Sequence, residues 1–527
     1  MKQKTDSLSR SKSAKSHSLE AVIELGTSSV RMAIAQIEGD DSYRILDYLQ
    51  QPITIGRDSF SRGSISAKTT ELCVQALNHF RTTLTEYNID DRRHVTAVAT
   101  SAVREASNKQ DFLDRICIGT GIPVVLIDEA EVNRYTYLAA RKLLATNSAL
   151  NNSTTLVVEI GGGSTETILL KKGAIVRSLT YRLGSLRLRR MIENSHLPGP
   201  SGWDFVSKHI DVTLDNLGQG IAGQKDKTNL LVLGGEARFA AKELGVEYNS
   251  GSIAILKVRD LDRLRDEVLG FSTDDLVRKF HLTYIDAETL GPSLLMLSRM
   301  SSLLGISRIH IGQASLRDGI LSEKSSRDPW QKAYREQIIS SAMELGQKYV
   351  FNKASAEGVA DLSMRLYHLF HEEHRLQARY GVILQVSALL RDIGLFVSNR
   401  SHHKHSMYLI QNSDLFGLGS RELLLCALVA RYHRRATPRD THEFYGLLPV
   451  EDKLIVKKLS AILRVADALL KGGISSSEQI EFHIKNEKLL VSAKNASNIE
   501  MEQLSLQEKV TMFKNIYGVD VELHSTL

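Results

Sequence analysis

Two stretches of the chain carry one pattern of apolar and polar positions. Ala21-Val22-Ile23-Glu24-Leu25-Gly26-Thr27-Ser28-Ser29-Val30-Arg31-Met32-Ala33-Ile34 runs apolar to an acid, breaks into glycine and hydroxyl residues, and returns as an apolar run. Val157-Val158-Glu159-Ile160-Gly161-Gly162-Gly163-Ser164-Thr165-Glu166-Thr167-Ile168-Leu169-Leu170 repeats it 135 residues later. Each predicts a β-hairpin with a bare tip, and the pair predicts an internal duplication. Between them, Leu72, Ala76, Leu77 and Phe80 have helical spacing within residues 69–87, and residues 94–99 read as a strand. That strand feeds a small-residue turn, Thr100-Ser101-Ala102-Val103-Arg104-Glu105-Ala106. Residues 124–127 form a further strand, and a helix starts at Glu129 with acids in its first turn, where the helix dipole favours them.

Beyond the second hairpin come Gly184-Ser185-Leu186-Arg187-Leu188 and a strand, glycine pair and helix start at Leu230-Leu231-Val232-Leu233-Gly234-Gly235-Glu236-Ala237-Arg238, a third plausible ligand contact. The strand Arg308-Ile309-His310-Ile311 precedes Ser315-Leu316-Arg317-Asp318-Gly319. Strands alternating with helices imply an α/β class. Residues 331–471 have helical spacing throughout, interrupted by a basic, His-rich loop at residues 399–405, and short strands with one helix end the chain. The expected organisation is a disordered basic tail (1–18), two α/β halves (19–145 and 146–325), a helical domain (326–473) and a small α/β domain (474–527).

Composition narrows the classes. With 527 residues, 42% hydrophobic and 24% charged, the chain reads as a globular protein of several domains. No run of 18 apolar residues appears, so no membrane span or membrane partner is expected. The Ser- and Lys-rich start lacks the apolar core of a secretory signal. Cys73, Cys117 and Cys426 stand singly, which fits a reducing cytoplasm and neither a disulfide framework nor a zinc site. A net charge of +6 hints at a polyanionic ligand and is too small to indicate specific nucleic-acid binding.

The hairpin tips carry the candidate chemistry. Glycines let backbone N–H groups approach a phosphate without a Cβ in the way, and neighbouring hydroxyls add donors. The expected phosphate-binding residues are Gly26, Thr27, Ser28 and Ser29 at one tip and Gly161, Gly162, Gly163, Ser164 and Thr165 at the other. Glu24 and Glu159, each before its glycines, suit a divalent cation, and Glu166 can orient an attacking water. The plain alternative is a glycine-rich turn with no ligand. Likewise, Ser101 has a helix cap as its dull reading, and Arg31, Arg57 and Arg187 have surface charges.

These motifs, with Val98 to Ala106 and the stretch ending Ala430-Arg431-Tyr432-His433-Arg434, resemble the exopolyphosphatase and guanosine pentaphosphate phosphohydrolase family from about residue 21 to the C-terminus. The resemblance implies two actin-like, ribonuclease-H-fold domains with the site in the cleft between them, a helical domain similar to the HD phosphohydrolases, and a small α/β C-terminal domain. It further implies Mg²⁺-dependent removal of the terminal phosphate of polyphosphate, or of the 5′ phosphate of pppGpp, by a homodimer. Arg104 would then stabilise charge on the transferred group. Against the family pattern, Glu24 and Glu159 stand where Asp is usual, each adding one methylene while keeping the charge. The position of a catalytic Glu falls on Val132, with Glu131 one residue earlier. Adjacent helical residues point about 100° apart, so Glu131 substitutes only if the helix start is shifted. The HD metal positions correspond to Ser355, Arg391-Asp392 and Asp467, and a guanidinium cannot ligate. His402, His403, His405 and His433 are transition-metal candidates whose commoner reading is a solvated loop. Two further functions remain open: a polyphosphate- or alarmone-binding regulator with impaired catalysis, and an actin-like sugar or acetate kinase, against which the Thr100 to Arg104 motif argues.

Overall fold

The computed structural model describes residues 18–39, 42–89, 91–197, 199–220, 228–246, 253–326, 332–496 and 498–526. The basic tail at residues 1–17 and most of the polar stretch around residues 325–330 lie outside these. Both expected hairpins form. Strand β1 (Ser18–Leu25) pairs antiparallel with β2 (Ser29–Gly39), and further on β6 (Thr154–Ile160) pairs antiparallel with β7 (Thr165–Lys171). The tips close alike, with Gly26 N–H donating to Ser29 C=O (3.0 Å) and Gly161 N–H to Ser164 C=O (2.9 Å).

Around each hairpin the chain builds a mixed sheet in the same sequence of moves. In the first, β3 (Ser42–Pro52), β4 (Val95–Ala99) and β5 (Val124–Leu126) give the order β3-β2-β1-β4-β5, with β4 parallel to β1 and to β5. In the second, β8 (Ala174–Tyr181), β9 (Thr228–Leu233), β10 (Ile253–Lys257) and β11 (Arg308–Gly312) give β10-β11-β9-β6-β7-β8. Reversed, the second order reproduces the first with one edge strand added. Strands β1 and β6 lie inside their sheets with both faces covered, which is why they read as nearly unbroken β-branched runs.

The two halves exchange helices. Helix Glu129–Ala145 follows the first sheet yet reaches β7 and β8 of the second, whereas helix Leu316–Ser325 follows the second sheet and packs on β1, β2 and β3. The two helices cross at Gly319, where a Cβ would stand 2.0 Å from the carbonyl oxygen of Tyr135. Only glycine permits that approach. Arg134 and Glu323 form an ion pair beside the crossing.

The long helices between Lys332 and Ala468 share one buried core, with Ala378–Leu390 at its centre. The His-rich segment read as a loop is largely helix, His402–Gln411. At the end, β12 (Ile480–Lys485), β13 (Lys488–Lys494) and β14 (Asp520–Thr526) form a three-stranded sheet beside helices Glu500–Lys509 and Thr511–Tyr517, where one helix was expected. Among the described residues no helix is long and apolar enough to cross a membrane.

Candidate active site

The tips of the two hairpins meet. A Cβ on Gly162 would lie 2.8 Å from Cβ and Cγ2 of Thr27, and one on Gly163 would lie 2.4 Å from the Ser101 hydroxyl. The bare tip of the second hairpin therefore seats against the first half of the molecule. Arg187 holds it there: its Nε donates to Gly163 C=O (3.0 Å), its guanidinium reaches Glu105 (2.8 Å), and it lies over the Phe60 ring. Arg57, across the same boundary, pairs with Glu288. Of the three arginines expected as surface charges, Arg187 and the half-exposed Arg57 join the halves, and Arg31 lines the cleft.

Between the tips lies a cavity of about 370 Å³. Glu24, Gly26, Thr27, Ser28, Arg104, Glu159, Gly161, Gly162, Gly163, Ser164 and Glu166 line it. Three expected residues do not. Ser29 is buried beneath its turn, and the Thr165 hydroxyl is spent on Leu183 C=O (2.5 Å). Glu131 is turned away because it closes a capping box: its carboxylate accepts from Asp128 N–H (3.0 Å) while Asp128 accepts from Glu131 N–H (2.9 Å). Those bonds fix the helix start, so no shift brings Glu131 into the cleft, and Val132 faces the cavity instead.

The carboxylates differ in their surroundings. Glu159 and Glu166 are direct cross-strand partners in the second hairpin, where like charges repel. Glu166 is 5% exposed; burial, then the charge of Glu159, push its carboxyl up to about 8, against the pull of Ser164, whose hydroxyl donates to Oε1 (2.6 Å), and of Arg104. Burial likewise raises Glu159, opposed by the Thr136 hydroxyl (2.8 Å) and reinforced by the charge of Glu24. Glu24 is ion-paired with Arg317. The oxygen-only donors of Glu24 and Glu159 fit a hard divalent cation such as Mg²⁺.

Arg104 is held by Ile127 C=O (3.0 Å) and Glu129 (3.4 Å) at the cavity wall. Arg238 and Arg317 line the same wall, with Arg31, Glu236 and Asp286. Arg238 was legible through the duplication: it is the fifth residue after β9, as Arg104 is the fifth after β4. Arg317 follows β11 through Ala314-Ser315, a strand and small-residue turn like that before Arg104.

A family model for the Ppx/GppA phosphatase family matches residues 34–328, and one for Ppx/GppA phosphatase domain III matches residues 338–513. The chain belongs to the Ppx/GppA phosphatase family. A relative of this Ppx/GppA chain in Photobacterium profundum, named guanosine-5′-triphosphate,3′-diphosphate pyrophosphatase, is 24% identical over 463 residues, 85% of each chain. A solved exopolyphosphatase from Cytophaga hutchinsonii ATCC 33406 matches 58% of this chain and 98% of its own, at 24% identity and a TM-score of 0.52. That match supports the Ppx/GppA-type, actin-like architecture of the α/β halves.

In domain III of this Ppx/GppA phosphatase, Ser355, Arg391, Asp392 and Asp467, the residues that the HD resemblance singles out, do come together, around a guanidinium. Arg391 donates to Asp467 (2.8 Å) and to the Ser355 hydroxyl (3.0 Å) and stands 3.3 Å from Asp392. Asp467 also accepts from Lys509 (2.5 Å) and Lys471 (3.1 Å). Burial opposes its ionisation, yet Arg391 and Lys509 hold its carboxyl well below the ordinary range. The cation at the centre of this group is the Arg391 guanidinium, and Lys509 ties the C-terminal helices to the helical domain.

Proposed function

We propose that this Ppx/GppA phosphatase hydrolyses the terminal phosphoanhydride of inorganic polyphosphate or the 5′ phosphoanhydride of pppGpp, with Mg²⁺. The observation carrying this reading is the pairing of Glu166 with Glu159 at the base of a glycine-lined cavity whose wall holds Arg104, Arg238 and Arg317. The cavity-lining tip residues Thr27, Ser28 and Ser164 would bind the phosphoryl oxygens, and Glu24 and Glu159 would hold the cation. When bound, Mg²⁺ supplies Lewis-acid neutralisation of charge on the transferred group.

Glu166 orients a water and accepts its proton as the water oxygen bonds to phosphorus. The bond from phosphorus to the bridging oxygen breaks, and that oxygen leaves with its electron pair on the shortened chain. Arg104 stabilises the charge that develops. A base must be ionised, and a carboxyl sitting near 8 is mostly protonated at neutral pH, so rates rise with pH until Glu166 is ionised. Family resemblance adds a homodimer working in the cytoplasm.

Orthophosphate release from polyphosphate and from pppGpp, with Mg²⁺ and with EDTA, tests the reading. Mg²⁺-dependent release from at least one substrate is expected. Tight binding of both with no release would overturn it in favour of a regulatory binding protein, the outcome that Val132 at the cavity wall would explain.

A further inference from the structure

Outside the cleft, domain III gathers a second group of metal-ligating atoms that the hydrolysis does not use. Asp392 Oδ1 lies 3.3 Å from His402 Nε2 and 3.6 Å from His433 Nε2, and the three atoms all fall within 4.8 Å of one another. Ligands about 2 Å from a tetrahedral ion stand roughly 3.3 Å apart, close to the two Asp392–imidazole separations.

Each histidine is set for ligation by its other nitrogen. His433 is 2% exposed, and its Nδ1 is 2.6 Å from Ala430 C=O. His402 Nδ1 is 3.4 Å from Asn399 C=O. A carbonyl accepts only from a protonated nitrogen, so each ring in its neutral form turns an Nε2 lone pair toward Asp392, and burial favours that form for His433. His402 Nε2 is buried and makes no hydrogen bond. The aspartate divides its oxygens, Oδ2 facing Arg391 and Oδ1 facing the imidazoles. Arg391 thus approaches the carboxylate from the Oδ2 side, and the two imidazole Nε2 atoms approach it from the Oδ1 side.

We propose that Asp392, His402 and His433 form a binding site for one borderline divalent transition ion of the zinc class, separate from the Mg²⁺ position in the cleft. Two imidazoles and one carboxylate suit zinc or cobalt and disfavour Mg²⁺, which takes oxygen ligands in octahedral geometry. Three protein ligands leave a coordination position for water or a ligand oxygen. Arg391 blocks the HD-type set, so this site keeps only Asp392 from it.

Equilibrium dialysis of untagged, EDTA-stripped full-length protein against Zn²⁺, together with visible spectra of the Co²⁺-loaded form, tests the site. The wild type should bind one ion with the d–d bands of a low-coordinate cobalt centre. Affinity should fall at least tenfold in His402→Ala and in His433→Ala and persist in Glu159→Gln. His402 is partly accessible at the start of its helix, so His402→Ala decides the matter even if His433→Ala fails to fold. Wild-type protein that binds no Zn²⁺, or binding unchanged in folded His402→Ala, would overturn the proposal.

Discussion

Replacing Glu166 with glutamine tests the electrostatics of the cleft apart from turnover. The side chain is buried opposite Glu159, and its carboxyl moves from 4.5 to about 8. At about 1.4 kcal/mol per pH unit, the native cleft favours the protonated form by roughly 5 kcal/mol. Between those pH values the native state keeps a proton that the unfolded chain has released. This contribution is therefore fully present below pH 4.5 and is lost as pH rises through 8. Glutamine still offers an oxygen to the Ser164 hydroxyl and does not titrate. In Mg²⁺-free buffer, Glu166→Gln should melt with the wild type at pH 5 and progressively above it toward pH 8. At ~2–4 °C per kcal/mol for a domain of this size, the gap at pH 8 is on the order of 10 °C. Scanning calorimetry of both proteins at pH 5, 6.5 and 8 measures it. Parallel Tm curves, or a variant that falls below wild type as pH rises, would refute the account in which burial and the Glu159 charge raise the Glu166 carboxyl.

Gly162→Ala forces a methyl group onto Thr27 and should part the hairpin tips; a fall in kcat/KM on the order of 10²-fold is expected, and unchanged steady-state kinetics would contradict the tip-to-tip seat. Val132→Glu places a second carboxylate at the cavity wall and should raise phosphate release at least about tenfold, since a positioned base supplies ~10²–10⁴; an unchanged or lower rate would show that Glu166 acts alone. Asp467→Ala leaves Arg391 and Lys509 buried without their shared partner and should cost about 3–5 kcal/mol, read as a lower melting transition for domain III in calorimetry.

The sequence disclosed what local pattern can disclose. Both hairpins, the glycine tips and the acids at Glu24, Glu159 and Glu166 were legible because acid, glycine and hydroxyl recur at fixed spacing. The exchange of helices between halves was not, because helix Glu129–Ala145 has an amphipathic pattern that names no partner sheet. Glu131 illustrates the same limit: an acid in a helix's first turn is equally suited to capping and to catalysis, and only the bond to Asp128 N–H decides. Arg317 and Arg238 carried a signal in the duplicated strand-and-turn phrase. The histidines were visible as a cluster, but His433 lies 31 residues beyond His402 and meets it only where helices His402–Gln411 and Ser420–Arg431 pack together.

Orthophosphate release from polyphosphate at pH 8 with Mg²⁺, compared between wild type, Glu166→Gln and Arg104→Ala, tests most directly whether the cleft is catalytic. The account predicts a loss of at least ~10² in each variant with folding retained. Wild-type rates in Glu166→Gln would contradict it.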